Sequence, residues 1–210
     1  MEIGPGTGQA TLPLAERGLE IVGVELGERL TAFAREKLSA FNRVEIVNAP
    51  FETWEPDGQF DAAVAFTAFH WIDPEARYEG SARLLRPGGA LAIVKTKHVA
   101  GSDPFWAEVQ ADYDAVVPSE ENKPPPLPEE VEDLAAEIAT SRRFGPAVIR
   151  RYLWDVQYDA DSYINVLETY SGHRSIPEDR RKDLYERIRR RIGDSEVSKT
   201  MLAILHVARA

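Results

Sequence analysis

Three glycines at alternate positions, Gly4, Gly6 and Gly8, follow an acid, Glu2, in the run Met-Glu-Ile-Gly-Pro-Gly-Thr-Gly at the head of the sequence. An apolar run, Ile21-Val22-Gly23-Val24, closes on a second acid, Glu25. Glycine is required where a backbone takes positive φ or approaches a ligand closely. A carboxylate at the tip of the following strand can accept hydrogen bonds from the two hydroxyls of a ribose. The combination therefore reads as a nucleoside-binding turn. The dinucleotide spacing Gly-x-Gly-x-x-Gly would place its third glycine at position 9, which is Gln9. The spacing thus disfavours an NAD(P)-dependent oxidoreductase.

A second group with chemical potential is Phe69-His70-Trp71, directly after the apolar run Phe60 to Phe66. Ligands of open α/β sheets lie beyond the carboxyl ends of the strands, so His70 stands where a general base could act. The alternative is that His70 is a hydrogen-bonded packing residue and Trp71 a pocket wall, because position alone does not make a base. Arg174, in Ser171-Gly172-His173-Arg174, could offer a cation to an acidic acceptor or be a solvated side chain at a helix end.

The elements that must position these residues alternate along the chain. Met1–Gly4 is a strand, and residues 9–17 are a helix with Pro13 in its opening turns, where a missing N–H costs least. Gly18 provides its C-cap. Ile21, Val22 and Val24 make the second strand. Gly27 to Phe41 is a helix whose apolar stripe is Leu30, Phe33, Ala34, Leu38 and Phe41. Val44 to Val47, Phe60 to Phe66 and Ala90 to Val94 are further strands, with a helix at 75–86 that ends in Leu84-Leu-Arg-Pro-Gly-Gly89. Strands alternating with helices in this way specify a parallel sheet with right-handed crossovers.

From Gly101 the texture changes. Helices are expected over Pro104–Val117 and Glu129–Thr140, the latter with Val131, Leu134, Ala135 and Ile138 on one face. Ser119–Pro128, with three consecutive prolines, reads as a stiff exposed loop. A strand over Ala147–Tyr158, a helix through Tyr170, an amphipathic helix Pro177–Ile192 and a last apolar strand Thr200–Ala208 complete the chain. The arginines of the amphipathic helix alternate with acids and lack interleaved aromatics, the pattern of a solvated face.

Composition narrows the function classes. The 210 residues carry a net charge of −10, which disfavours nucleic acid and anionic membrane as partners. With no cysteine there is no disulfide, thiolate metal site or cysteine nucleophile. No His/Asp/Glu cluster has metal-ligand spacing. No leader or membrane-length apolar run is visible, so a cytoplasmic location is expected.

The pattern Glu2-x-Gly4-x-Gly6-x-Gly8, coupled to Glu25 and to the Leu84–Gly89 turn, resembles motif I and its surroundings in the class I S-adenosylmethionine (SAM)-dependent methyltransferases. The resemblance covers residues 1–97 by motif and the remainder by architecture. It implies a doubly wound, Rossmann-like α/β sheet of seven strands, the last antiparallel and inserted beside strand five. It further implies a SAM-binding core at 1–100, a helical cap inserted between strands five and six at 101–145, and the rest of the core sheet at 146–210. Carried over residue by residue, Glu2, Gly4, Pro5, Gly6 and Gly8 surround the methionine end of SAM, and Glu25 holds the ribose. Leu26, Ala49 and Phe51 contact the adenine, and backbone near Phe66 receives the methionine amine.

Ala49 departs from the family, which commonly has an acid there. Phe51 and Trp54 could also simply cover the sheet edge. The acceptor side comprises Phe69, His70, Trp71 and Arg174, with His70 the catalytic candidate. The His-Trp pair is similar to the trans-aconitate-methyltransferase-like subgroup, implying a small-molecule methyl acceptor and S-adenosylhomocysteine (SAH) as coproduct. Family members carry helices ahead of motif I, so the chain is expected to be shortened at its amino end. A binding-only or inert protein is the alternative that such shortening allows.

Overall fold

The computed structural model describes residues 1–118 and 123–210; Ser119–Asn122, within the loop anticipated from the proline run, lie outside the described residues. Among the described residues there are seven strands: β1 (Glu2–Ile3), β2 (Ile21–Glu25), β3 (Val44–Asn48), β4 (Phe60–Phe66), β5 (Leu85–His98), β6 (Val148–Tyr158) and β7 (Val197–Arg209). The α-helices are α1 (Thr11–Glu16), α2 (Glu28–Lys37), α3 (Pro74–Leu84), α4 (Phe105–Val116), α5 (Ala135–Ser141), α6 (Ala160–Thr169), α7 (Ser171–Arg174) and α8 (Glu178–Ile192). The strand order is β3-β2-β1-β4-β5-β7-β6.

Pairing is parallel from β3 through β5, with Glu2 opposite both Gly23 and Val64. The final strand is antiparallel to β5. Gly89 accepts from Ala210 at one end, and Val99 donates to Thr200 at the other. The doubly wound sheet with an antiparallel last strand is thus the observed fold.

Two compact units divide the chain. The first comprises Met1–Thr96, Asp133–Arg151 and Ala203–Ala210. Successive strand residues point to opposite faces, and β2 shows the consequence. Val24 joins the core formed by Ile3, Ala65, Leu91 and Ile93 with Tyr78 and Leu84 of α3. The Gly23 side, opposite Ile46, faces Ala34 of α2 and the adjoining Leu38. Helices α2 and α3 therefore cover opposite faces of the same strands, leaving the strand ends open.

The second unit, Lys97–Glu132 with Tyr152–Leu202, has its own core of Phe105, Trp106 and Val109 from α4, Tyr163 and Leu167 from α6, and Leu184 and Ile188 from α8. Inside it, Arg191 of α8 binds Asp112 of α4 at 2.7 Å, and Trp106 donates from Nε1 to the Ser198 carbonyl at 2.7 Å. Of the segment 101–145, expected as one insertion, residues 101–132 fall in this unit and residues 133–145 in the other.

Three local expectations are corrected. Of the anticipated α2 stripe, Ala34 and Leu38 are buried, whereas Leu30 is 41% and Phe33 61% exposed. The buried helix position alongside them is Thr31, drawn in where its hydroxyl meets the Glu25 carbonyl and the Asn48 amide. Helix α5 starts at Ala135, not at Glu129. The Asp133 carboxylate accepts the Ala135 N–H at 2.8 Å, and only a 3-10 turn, Pro128–Glu130, precedes it. Strand β5 absorbs the Leu85–Gly89 turn because Gly88 and Gly89 pair with Ala210.

Candidate functional site

The sheet order reverses direction between β1 and β4, and a crevice outside the carboxyl ends of strands is the expected ligand position at such a switch point. The glycine turn leaves β1 there. Gly4 has φ +63°, and a Cβ on it would stand 2.6 Å from the Ala68 Cβ, so no larger residue fits without displacement. Gly6 has φ +58° and nothing within 4 Å of a would-be Cβ: its bare backbone borders open space. Gly8 stands back from the crevice, against Leu38.

Glu25 is 7% exposed and ties the two sides of this crevice together. Its Oε2 accepts the Gly6 N–H at 2.9 Å and its Oε1 accepts the Gly27 N–H at 2.8 Å. Each oxygen retains acceptor capacity for a further donor. The backbone around it is braced by Asn48, whose side-chain amide donates to the carbonyls of Glu25 at 2.9 Å and Leu26 at 3.0 Å. Glu2 is 1% exposed, its Oε2 lacks a hydrogen-bond partner, and burial pushes its pKa above the ordinary carboxylate range. A buried carboxylate oxygen without a partner at a cleft wall is a place for a cationic or hydroxyl donor.

The cleft has a volume of about 850 Å³. Of the residues selected from sequence, Glu2, Gly4, Pro5, Gly6, Glu25, Leu26, Ala49, Phe51, Phe66 and Trp71 line it together. Phe51 is buried, while Leu26 is 72% and Trp71 82% exposed. Gly8, Phe69 and His70 are not among the lining residues. A 3-10 turn, Phe69–Trp71, sends Phe69 into the core, 3% exposed, where its ring meets Tyr78 edge-on and carries the Arg77 guanidinium at 5.6 Å. The same turn leaves His70 exposed, its ring 4.8 Å from that of Trp71. Arg174 belongs to the second unit, near Glu168, Arg181 and Tyr185, and does not line the cleft.

Sequence reasoning missed several lining residues. Thr67, directly after β4, has φ +53°, a strained conformation for a β-branched residue. Its hydroxyl donates to the Phe66 carbonyl at 2.8 Å. Such strain concentrates at functional sites, but nothing in the residue type announces it. Glu52 and Leu30 also line the cleft. Asn48 could have been found, because it ends β3 in register with Glu25.

Chemically the cleft offers a fixed carboxylate for a diol, a buried carboxylate for an amine, and an apolar flank of Leu26, Ala49 and Phe51 for a flat base. That set of acceptors and apolar surface fits a nucleoside with a charged tail. Among the described residues no group of His, Asp and Glu could hold a metal ion, and no helix is long and apolar enough to cross a membrane.

Residues 1–93 match the family model described as a methyltransferase domain. An uncharacterized methyltransferase of Mycobacterium tuberculosis is 35% identical over 94 residues, which is 45% of this chain and 38% of that protein. The chain thus matches well under half the length of that relative. Among solved structures, the YcgJ protein of Bacillus subtilis aligns over 99% of this chain and 89% of its own, with 19% identity and a TM-score of 0.59. Phosphoethanolamine N-methyltransferase 2 of Haemonchus contortus, solved with phosphomonomethylethanolamine and SAH, aligns over 99% of this chain and 47% of its own. Its identity is 16% and its TM-score 0.53. These likenesses concern the fold.

Proposed function

We propose that the cleft binds SAM and that the protein is a class I SAM-dependent methyltransferase acting on a small-molecule acceptor. The observation that carries this reading is the Glu25 carboxylate, held by the Gly6 and Gly27 N–H groups at the cleft mouth. It is supported by the family match over the residues that build the cleft. When bound, SAM supplies a methyl group on a sulfonium that is already a good leaving group.

The chain's own residues have the remaining tasks of binding, orientation and exclusion of water. Glu25 accepts from the ribose hydroxyls with the lone pairs that Gly6 and Gly27 leave free. The unpartnered Glu2 Oε2 attracts the methionine ammonium. Gly4, Pro5 and Gly6 bring bare backbone against the methionine portion, with the Phe66 carbonyl end of β4 beside it. With Ala49 where many relatives have an acid, the adenine is held by the apolar flank of Leu26 and Phe51. Trp71, at the rim, walls the acceptor side, and the exposed His70 beside it, outside the lining itself, is the candidate base. A carboxylate acceptor, as in the trans-aconitate-methyltransferase-like subgroup, is ionised at neutral pH and needs no base. The net charge of −10 favours a metabolite over nucleic acid.

Calorimetry with SAH tests the first half, and radiolabelled SAM with a panel of metabolite acceptors tests the second. SAH binding that is absent at millimolar concentration would leave the inert alternative standing. Binding without transfer to any acceptor would leave a binding protein.

A further inference from the structure

The second unit holds a separate cavity of about 600 Å³, walled by Trp106, Tyr163, Tyr170, His98 and Lys199. Lys199 is only 4% exposed, on β7. Its Nζ has one hydrogen bond, to the Tyr170 hydroxyl at 3.2 Å. It lies 5.4 Å from the Tyr170 ring centroid and 5.9 Å from those of Trp106 and Tyr163. Among the described residues no carboxylate pairs with it, and no Asp, Glu or Arg lines the cavity. An ammonium has three donors, so two of them are without a partner among the described residues. Ring faces attract a cation, but a buried charge lacking a counter-ion is costly.

His98 adds a second unsatisfied group. Its ring stands 4.4 Å from Trp106, and its buried Nε2 has no hydrogen-bond partner. Burial, with Lys199 and Lys97 nearby, lowers its pKa to about 4, so it is neutral at pH 7 and presents a dipole, not a charge. The buried part of the wall therefore offers one ammonium, a neutral imidazole and flat aromatic faces, while Lys97 and Lys123, both exposed, also line the cavity. Arginine forks are the usual partners of a phosphate dianion, and among the described residues no arginine lines the cavity. One carboxylate matches the single buried ammonium, and an aromatic or unsaturated body matches the rings. The volume is that of a small-molecule site.

We propose that this cavity binds a small aromatic monocarboxylate, its carboxylate on Lys199 Nζ and its body against Trp106 and Tyr163. This proposal goes beyond the methyltransferase reading and does not rest on it. Calorimetry of the full chain with benzoate and phenylacetate, against the neutral isostere benzamide, is the test. The carboxylates should bind at millimolar concentration or better, with benzamide about ten- to a hundred-fold weaker, the difference one charge-assisted hydrogen bond makes. Lys199→Met should lose the same factor while retaining its thermal unfolding temperature. If Lys199→Met fails to fold, the comparison of benzoate with benzamide on the unaltered chain still decides. Equal binding of benzamide, unchanged binding in a folded Lys199→Met, or no binding of either carboxylate would each overturn the proposal. SAH titrated in parallel separates the two readings, since SAH binding without carboxylate binding sinks only this one.

Discussion

Glu25 Oε2 accepts the backbone N–H of Gly6 at 2.9 Å across nineteen positions of sequence, so the acid that closes β2 also sets the shape of the glycine turn that follows β1. Acid and turn are one device. The carboxylate organises the loop before any ligand arrives, and the positive φ of Gly6 is what brings its N–H within reach.

Glu25→Ala should therefore weaken SAH binding by roughly 1–3 kcal/mol, through loss of charged hydrogen bonds to the ribose and a looser loop. Glu25→Gln should show an intermediate loss, because an amide keeps one acceptor oxygen. Calorimetric affinities for the three proteins rank the effect, and an unaltered affinity in Glu25→Ala would put the sugar elsewhere.

Gly4→Ala should destabilise the fold as well as the site. The new methyl would meet the Ala68 Cβ at 2.6 Å, at a backbone φ of +63° that alanine disfavours. Strain of this kind costs about 1–3 kcal/mol. Urea unfolding reads it directly, and a full-strength Gly4→Ala protein would show that the β4 end yields easily.

Thr67→Asn should act in the opposite direction. Asparagine tolerates the left-handed region that Thr67 occupies at φ +53°, so the variant should gain up to about 1 kcal/mol of stability. If Thr67 is retained for the site, the same variant should transfer methyl groups more slowly. Paired unfolding and activity measurements separate the two effects.

Acid should weaken the fold through its buried histidines. His206 is fully buried; its Nε2 accepts the Leu134 N–H at 3.0 Å and its Nδ1–H donates to the Ile93 carbonyl at 3.2 Å. Burial lowers its pKa below the ordinary 6.5, and lowers those of His98, to about 4, and His173 as well. Below pH 6.5 the unfolded chain then holds more protons than the folded one, so stability falls as pH falls. The contribution is complete above pH 6.5 and disappears as the pH drops towards the folded-state values. His206→Gln should be less stable than the parent by about 1–3 kcal/mol at pH 7, from lost buried hydrogen bonds. The gap should narrow at pH 5, as urea unfolding at the two pH values would measure.

The sequence by itself determined the alternation of strands and helices, the glycine turn and the pairing of that turn with Glu25. These depend on local conformation and short-range spacing: glycine is the residue that takes positive φ freely, and an apolar run ending in an acid marks a strand tip. The antiparallel place of β7 was legible only through family resemblance.

Tertiary structure decided what depends on how one turn rotates or on which distant strands meet. Phe69 and Trp71 are two residues apart and chemically alike, yet a single 3-10 turn buries one and exposes the other. Thr31 displaced Leu30 and Phe33 from the buried face of α2 because its hydroxyl found partners at the ends of β2 and β3. Nor could spacing assemble His98, Trp106, Tyr163, Tyr170 and Lys199 around one cavity, since they come from two strands and from helices far apart in the chain. Local chemistry is written in adjacent residues, whereas a shared wall exists only once the chain has packed.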